Sequence, residues 1–145
     1  MALPEPEPGL VISYSYLWRR ERAAGEREGR KNRPCAIVLV IDARGGAKTV
    51  TVAPITHSRP PDLTVAIEIP PAIKRHLRLD AEPSWIVLDD FNQFGWPGFD
   101  LRSIPGDAKR FDFGMLPPAF FMKIVRQILE LRSEGRIFLS SRDEV

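Results

Sequence analysis

Asn32-Arg33-Pro34-Cys35-Ala36-Ile37-Val38-Leu39-Val40-Ile41 decides the architecture, and Val50-Thr51-Val52-Ala53-Pro54-Ile55-Thr56 answers it downstream. Cys35 to Ile41 is an unbroken apolar run, rich in β-branched residues, and Gly45-Gly46 follows it closely. Two such runs around a Gly-Gly turn predict a buried β-hairpin. Pro34 has no N–H to give a sheet and holds the residue before it extended, so Arg33 is fixed at the mouth of the first strand. Thr56 closes the second. A forked guanidinium and a hydroxyl are both groups that hold phosphate oxygens.

Outward from the hairpin, Val11 to Leu17 alternates in strand fashion after Gly9, and Leu63 to Ile69 and Ser84 to Leu88 supply two further short strands. Trp18 to Asn32 carries Gly25 and Gly29 with little apolar periodicity and is expected to be a long loop. Seven basic residues stand against three acidic ones between Arg19 and Arg33, a local excess of four charges in a chain of net charge +2. That excess suits a polyanion; it also suits a merely solvated loop. Phe91 to Gly114, crowded with Gly, Pro and aromatics, is expected to be irregular. Phe121, Ile124, Val125, Ile128 and Leu129 then form an apolar stripe at helical spacing, after Pro117-Pro118 and before Gly135. The expected fold is mainly β, a small SH3-like barrel of curved antiparallel strands with a C-terminal helix. Residues 1–8, alternating Pro and Glu, are expected to form a flexible arm, and 9–145 a single domain.

No run approaches the roughly 20 apolar residues of a membrane span, and the start lacks the marks of a signal peptide. The single cysteine, Cys35, lies in the most apolar segment and is expected to be a buried reduced thiol in a cytoplasmic protein. His57, beside Thr56, has the proton chemistry of a phosphate site, though a lone loop histidine is more often a surface residue. Neither His57 nor His76 has a second ligand at metal-binding spacing in the chain, so no metal and no cofactor is expected. Asp89-Asp90 ends a strand, where only one of two adjacent carboxylates can face a site. Phe91, Phe94, Trp96 and Phe99 interleave with Asn92, Gln93 and Arg102, a mixture that serves base stacking and edge recognition in RNA, or equally a core or interface. Gly45 to Thr49 lacks the spacing of a phosphate-binding loop, and Asp112-Phe113-Gly114 has no partner motif of a kinase.

Gly9 at the first strand, Glu28 ahead of Arg33-Pro34, the apolar strand to Ile41, and the second strand closing on Thr56 together resemble the MazF/PemK (Kid) family of toxin endoribonucleases. The resemblance covers roughly Gly9 to Leu88 and, more loosely, Ser84 to Arg132. It departs where the family commonly has Gln after the glutamate, since Gly29 stands here, and again after Asp89. It implies a homodimer paired with a cognate antitoxin, cutting single-stranded RNA without a metal ion. By the same resemblance Arg33 is the catalytic arginine and Thr56 the phosphate-orienting hydroxyl. Glu28, His57 and Asp89 are the candidate bases, and Arg30, Lys31, Asn92 and Trp96 are candidate RNA contacts. The alternative is a non-catalytic SH3-like module that binds RNA or, as the related CcdB branch does, a protein target.

Overall fold

β1 (Leu10–Ser15), β2 (Asn32–Asp42) and β3 (Lys48–Thr56) form an antiparallel meander that carries the rest of the chain. The computed structural model describes residues 3–26, 29 and 31–143. Val11 lies opposite Ala36 and Ala36 opposite Ala53, while Ile12 lies opposite Cys35 and Cys35 opposite Pro54. Because strand side chains alternate between faces, these two rows feed two separate cores. Val11, Ala36, Ala53 and Ile55 face one cluster with Leu77, Ile86, Leu88 and the C-terminal helix. Ile12, Tyr14, Cys35, Ile37, Val50 and Val52 face the other with Trp18 and Phe94, whose ring stacks on Tyr14 at 4.6 Å between centroids.

A short β4 (Ala66–Glu68) pairs with β5 (Trp85–Val87), and β5 pairs with the end of β3, where Thr56 faces Trp85. β6 (Asp90–Gly95) runs antiparallel to the earlier half of β3, and β7 (Leu101–Arg102) and β8 (Asp112–Met115) edge β1. The last strand among the described residues is β9 (Phe138–Ser141), parallel to β6 with Asn92 opposite Ser140. The sheet bends at irregularities in β1 after Val11 and in β2 after Ile37, and it stays open rather than closing into a hydrogen-bonded barrel. The mainly β architecture with one long helix is as expected; the ring is not completed.

Among the described residues three α-helices accompany the sheet: α1 (Arg19–Ala23), α2 (Pro71–His76) and α3 (Pro118–Ser133). α3 starts at its proline and ends before Gly135 as the sequence predicts. Its buried face is Phe120, Ile124 and Leu131 with Phe121 and Ile128 alongside, whereas Leu129 points to solvent. α1 interrupts the expected loop because Glu21 accepts from the Trp18 backbone N–H at 3.0 Å, closing the first turn. The expected strand from Leu63 begins instead as a single 3₁₀ turn, since Asp62 accepts from the Thr64 N–H at 2.8 Å. β6 runs into the stretch expected to be irregular, and β9 follows α3. No helix among the described residues is long and apolar enough to cross a membrane.

Candidate functional site

A cleft of about 980 Å³ opens where β1, β2 and β3 end, with Ser13, Pro34 and Ile55 among its lining residues. Lys31 and Arg33 reach it from the start of β2, Arg78 and Asp80 from the segment after α2, and Asp107 and Arg110 from the segment between β7 and β8. Four permanent cations against two carboxylates give the cleft a positive lean, and its partly enclosed walls strengthen that field.

Arg33 is paired with Tyr14 across the β1–β2 ladder and projects onto the Trp18 side of the sheet, its guanidinium carbon 5.1 Å from the indole centroid. Its Nε is buried and has no hydrogen-bond partner. No carboxylate pairs with it among the described residues. Burial, opposed by its acidic neighbours, pulls its pKa below the usual arginine value, yet a guanidinium remains charged at working pH. Its Nε is thus a donor in a partly dry place with no acceptor among the described residues. The β2–β3 ladder pairs Cys35 with Pro54, and beyond it Thr56 pairs with Trp85 of β5. The Thr56 hydroxyl is half-buried and accepts from the Ser58 N–H at 3.1 Å; it is not among the groups lining the cleft.

His57 lines the cleft but is held on both ring nitrogens. Nδ1 lies 3.0 Å from the Pro83 carbonyl and 3.1 Å from Ser84 Oγ, and Nε2 lies 2.8 Å from Asp80 Oδ2 and 3.7 Å from Glu82 Oε2. Behind them the Lys74 ammonium, 4% exposed, donates to Asp80 Oδ1 at 3.0 Å, to Ser84 Oγ at 2.7 Å and to the Glu82 carbonyl. Here the fold alters an expectation. Spacing in the chain gives His57 no co-ligand, whereas folding brings two carboxylates to it.

The remaining candidates scatter. Asp89 and Asp90 sit at the start of β6, outside the cleft, and burial raises both their pKa values. Asp90 accepts from Tyr16 Oη at 2.5 Å and from the Arg19 N–H at 3.1 Å. Asn92 is fully buried and spends its amide on Leu17, accepting from its N–H at 2.9 Å and donating to its carbonyl at 2.8 Å. Trp96 is half-buried against Phe94, outside the cleft. Lys31 is exposed at the cleft, and Glu28 and Arg30 lie outside the described residues. Gly29 has a steric cause: a Cβ there would stand 2.1 Å from the Tyr16 carbonyl oxygen, so no side chain fits where the loop lies against β1.

Arg78, Asp80, Asp107 and Arg110 join the cleft without having stood out in the sequence. Arg78 has φ of +56° at the end of α2, a backbone state in which glycine is usual. The Leu79 N–H reaches the Lys74 carbonyl at 2.9 Å and the Arg78 N–H reaches the Arg75 carbonyl at 3.1 Å, the paired bonds of a left-handed helix terminus.

No family model matches the chain, and no curated protein matches it. Eight solved chains do. One of them is described as an endoribonuclease in complex with its cognate antitoxin, from a mycobacterial species; it shares 17% identity with a TM-score of 0.53, over 92% of this chain and 99% of that one. At that identity the likeness establishes a common fold.

Proposed function

We propose that the protein is a toxin-type endoribonuclease that cleaves single-stranded RNA and is held in check by a cognate antitoxin. The observation that carries the proposal is Arg33, a half-buried cation that lines a positive cleft and whose buried Nε has no acceptor among the described residues, in a fold shared with an endoribonuclease bound to its antitoxin. The MazF/PemK resemblance of the hairpin points the same way.

In this mechanism the ribose 2′-hydroxyl attacks the adjacent phosphorus. The P–O5′ bond breaks, leaving a 2′,3′-cyclic phosphate and a 5′-hydroxyl. Negative charge grows on the non-bridging oxygens as phosphorus becomes five-coordinate, and Arg33 stabilises it where water is partly excluded. Thr56, whose hydroxyl accepts from the Ser58 N–H, keeps its own O–H to donate to one such oxygen. The base takes the 2′-hydroxyl proton, and the departing O5′ takes a proton from solvent water to become the 5′-hydroxyl. Glu28 is assigned that role, because both nitrogens of His57 are engaged and Asp89 lies outside the cleft. Lys31, Arg78 and Arg110 hold flanking phosphates, and the protein acts as a homodimer.

A non-catalytic RNA-binding module is favoured by one observation: among the described residues, no unengaged carboxylate or imidazole faces Arg33. Purified protein incubated with mixed RNA in EDTA separates the two. Fragments ending in cyclic phosphate, lost with Arg33→Ala and Glu28→Gln, support the nuclease; retained RNA binding with no fragments leaves the module.

A further inference from the structure

We propose that His57, Asp80 and Glu82 form a binding site for one divalent cation of the zinc class, beside the cleft and independent of the cleavage chemistry. Nε2 of the histidine and one oxygen of each carboxylate lie within 4.8 Å of one another, all three reaching solvent. Two carboxylates and an imidazole are a donor set that zinc and its neighbours accept, with an open position left for water. Bond lengths of roughly 2.0–2.2 Å in a tetrahedron require donors a little over 3 Å apart. The separations of 2.8 Å and 3.7 Å from Nε2 bracket that requirement, so small rotations of exposed side chains complete the site.

Proximity alone is common among exposed acidic groups. What distinguishes this cluster is how its ligand atoms are aimed from outside it. A metal would replace the Nε2–H···Oδ2 contact with Asp80 at 2.8 Å, and the Pro83 carbonyl, 3.0 Å from Nδ1, would accept the ring's remaining N–H. The second oxygen of Asp80 is held by buried Lys74 at 3.0 Å and by the Glu82 N–H at 3.1 Å, leaving Oδ2 toward His57. Outer-shell bonds of this kind orient ligands in established zinc centres and are worth about 10–100-fold in affinity. The Lys74 charge opposes a cation and keeps the affinity below that of a site with no ammonium nearby. His57 follows β3 directly, and Asp80 and Glu82 belong to the segment that carries Arg78 into the cleft. An ion would therefore bind that segment to the end of β3.

The test uses the full chain, stripped with chelator and titrated with Zn²⁺ against a chromophoric competitor, with thermal unfolding followed in parallel. One Zn²⁺ per chain is expected, with a higher melting temperature. His57→Ala and Glu82→Gln, each checked for folding by circular dichroism, are expected to weaken binding by at least about tenfold and to remove the thermal shift. His76→Ala keeps both. No stoichiometric binding by the native chain, or binding that survives both His57→Ala and Glu82→Gln, overturns the site. Since RNA cleavage is assayed in EDTA, loss of the metal site and loss of the nuclease are separate results.

Discussion

Arg33 and Arg142 both bring a guanidinium out of bulk water, and the protein treats them in opposite ways. Arg142, its side chain 3% exposed, donates to the Ser15 carbonyl at 2.8 Å and to Asn92 Oδ1 at 3.0 Å, pairs with Asp100 at 3.0 Å, and lies over the Tyr14 ring. Following β9 directly, it ties the end of the chain to β1 and to the strand before β7. Arg33 has an indole face and, among the described residues, no acceptor for its buried Nε. A buried cation costs several kcal/mol to desolvate unless its donors are used, so a fold supplies acceptors wherever the arginine is structural. Donors left unused beside an open cleft are donors kept for something else.

The largest expected effect breaks the satisfied side of that contrast. Arg142→Ala leaves the mostly buried Asp100 with only the more distant Arg102, at 3.8 Å, and strips one bond from Asn92; a loss of about 3 kcal/mol in urea unfolding is expected. RNA cleavage by the folded fraction should persist. Arg33→Ala should do the reverse. Cleavage is expected to fall by about 10²–10³-fold, corresponding to about 2.7–4 kcal/mol of transition-state stabilisation, with the unfolding midpoint unmoved. If Arg33→Ala unfolded the protein as far as Arg142→Ala does, the two arginines would be alike and the contrast would fail.

The same contrast explains what the sequence disclosed. Local chemistry wrote the hairpin: Cys35 to Ile41, the Gly45-Gly46 turn and Pro34 each act within a few residues, and Pro117-Pro118 and Gly135 mark α3 in the same way. Arg33 was conspicuous because Pro34 follows it. Nothing within a few residues of Arg142 shows that Asn92, fifty positions back, will accept its proton. β6 and β9 hid for the same reason, since Asn92 and Gln93 look like loop residues until their partners across the sheet are known. The cleft was half legible. Its β2 wall came from a motif, whereas Arg78, Asp80 and Arg110 arrive from segments brought together only by folding.

Arg78 sharpens the comparison at a smaller scale, because it accepts strain where Arg142 is relieved of it. A non-glycine residue in the left-handed region costs roughly 1–2 kcal/mol, so Arg78→Gly is expected to stabilise the fold by about 1 kcal/mol. It removes a cation from the cleft at the same time. RNA affinity should weaken, and the slope of log affinity against log salt should drop by roughly one phosphate contact. Greater stability with unchanged binding and slope would remove Arg78 from the functional surface.

Asp89 gives the smallest effect and tests the carboxylate counterpart of the same rule. Burial, aided by repulsion from Asp90, holds its folded pKa above the ordinary aspartate value near 3.9. A raised carboxyl pKa means that the folded state binds the proton more tightly than the unfolded chain does. Its contribution to stability is therefore full below pH ~3.9 and is lost as pH rises through the folded value. Asp89→Asn removes that loss. Because the carboxyl is only half-buried and solvent screens it, a gain of a few tenths of a kcal/mol at pH 7 is expected, vanishing toward pH ~3.5. Cleavage should be unchanged, since Asp89 lies outside the cleft. A variant that gained this stability but lost cleavage would return Asp89 to the catalytic groups and take the base away from the Arg33 side.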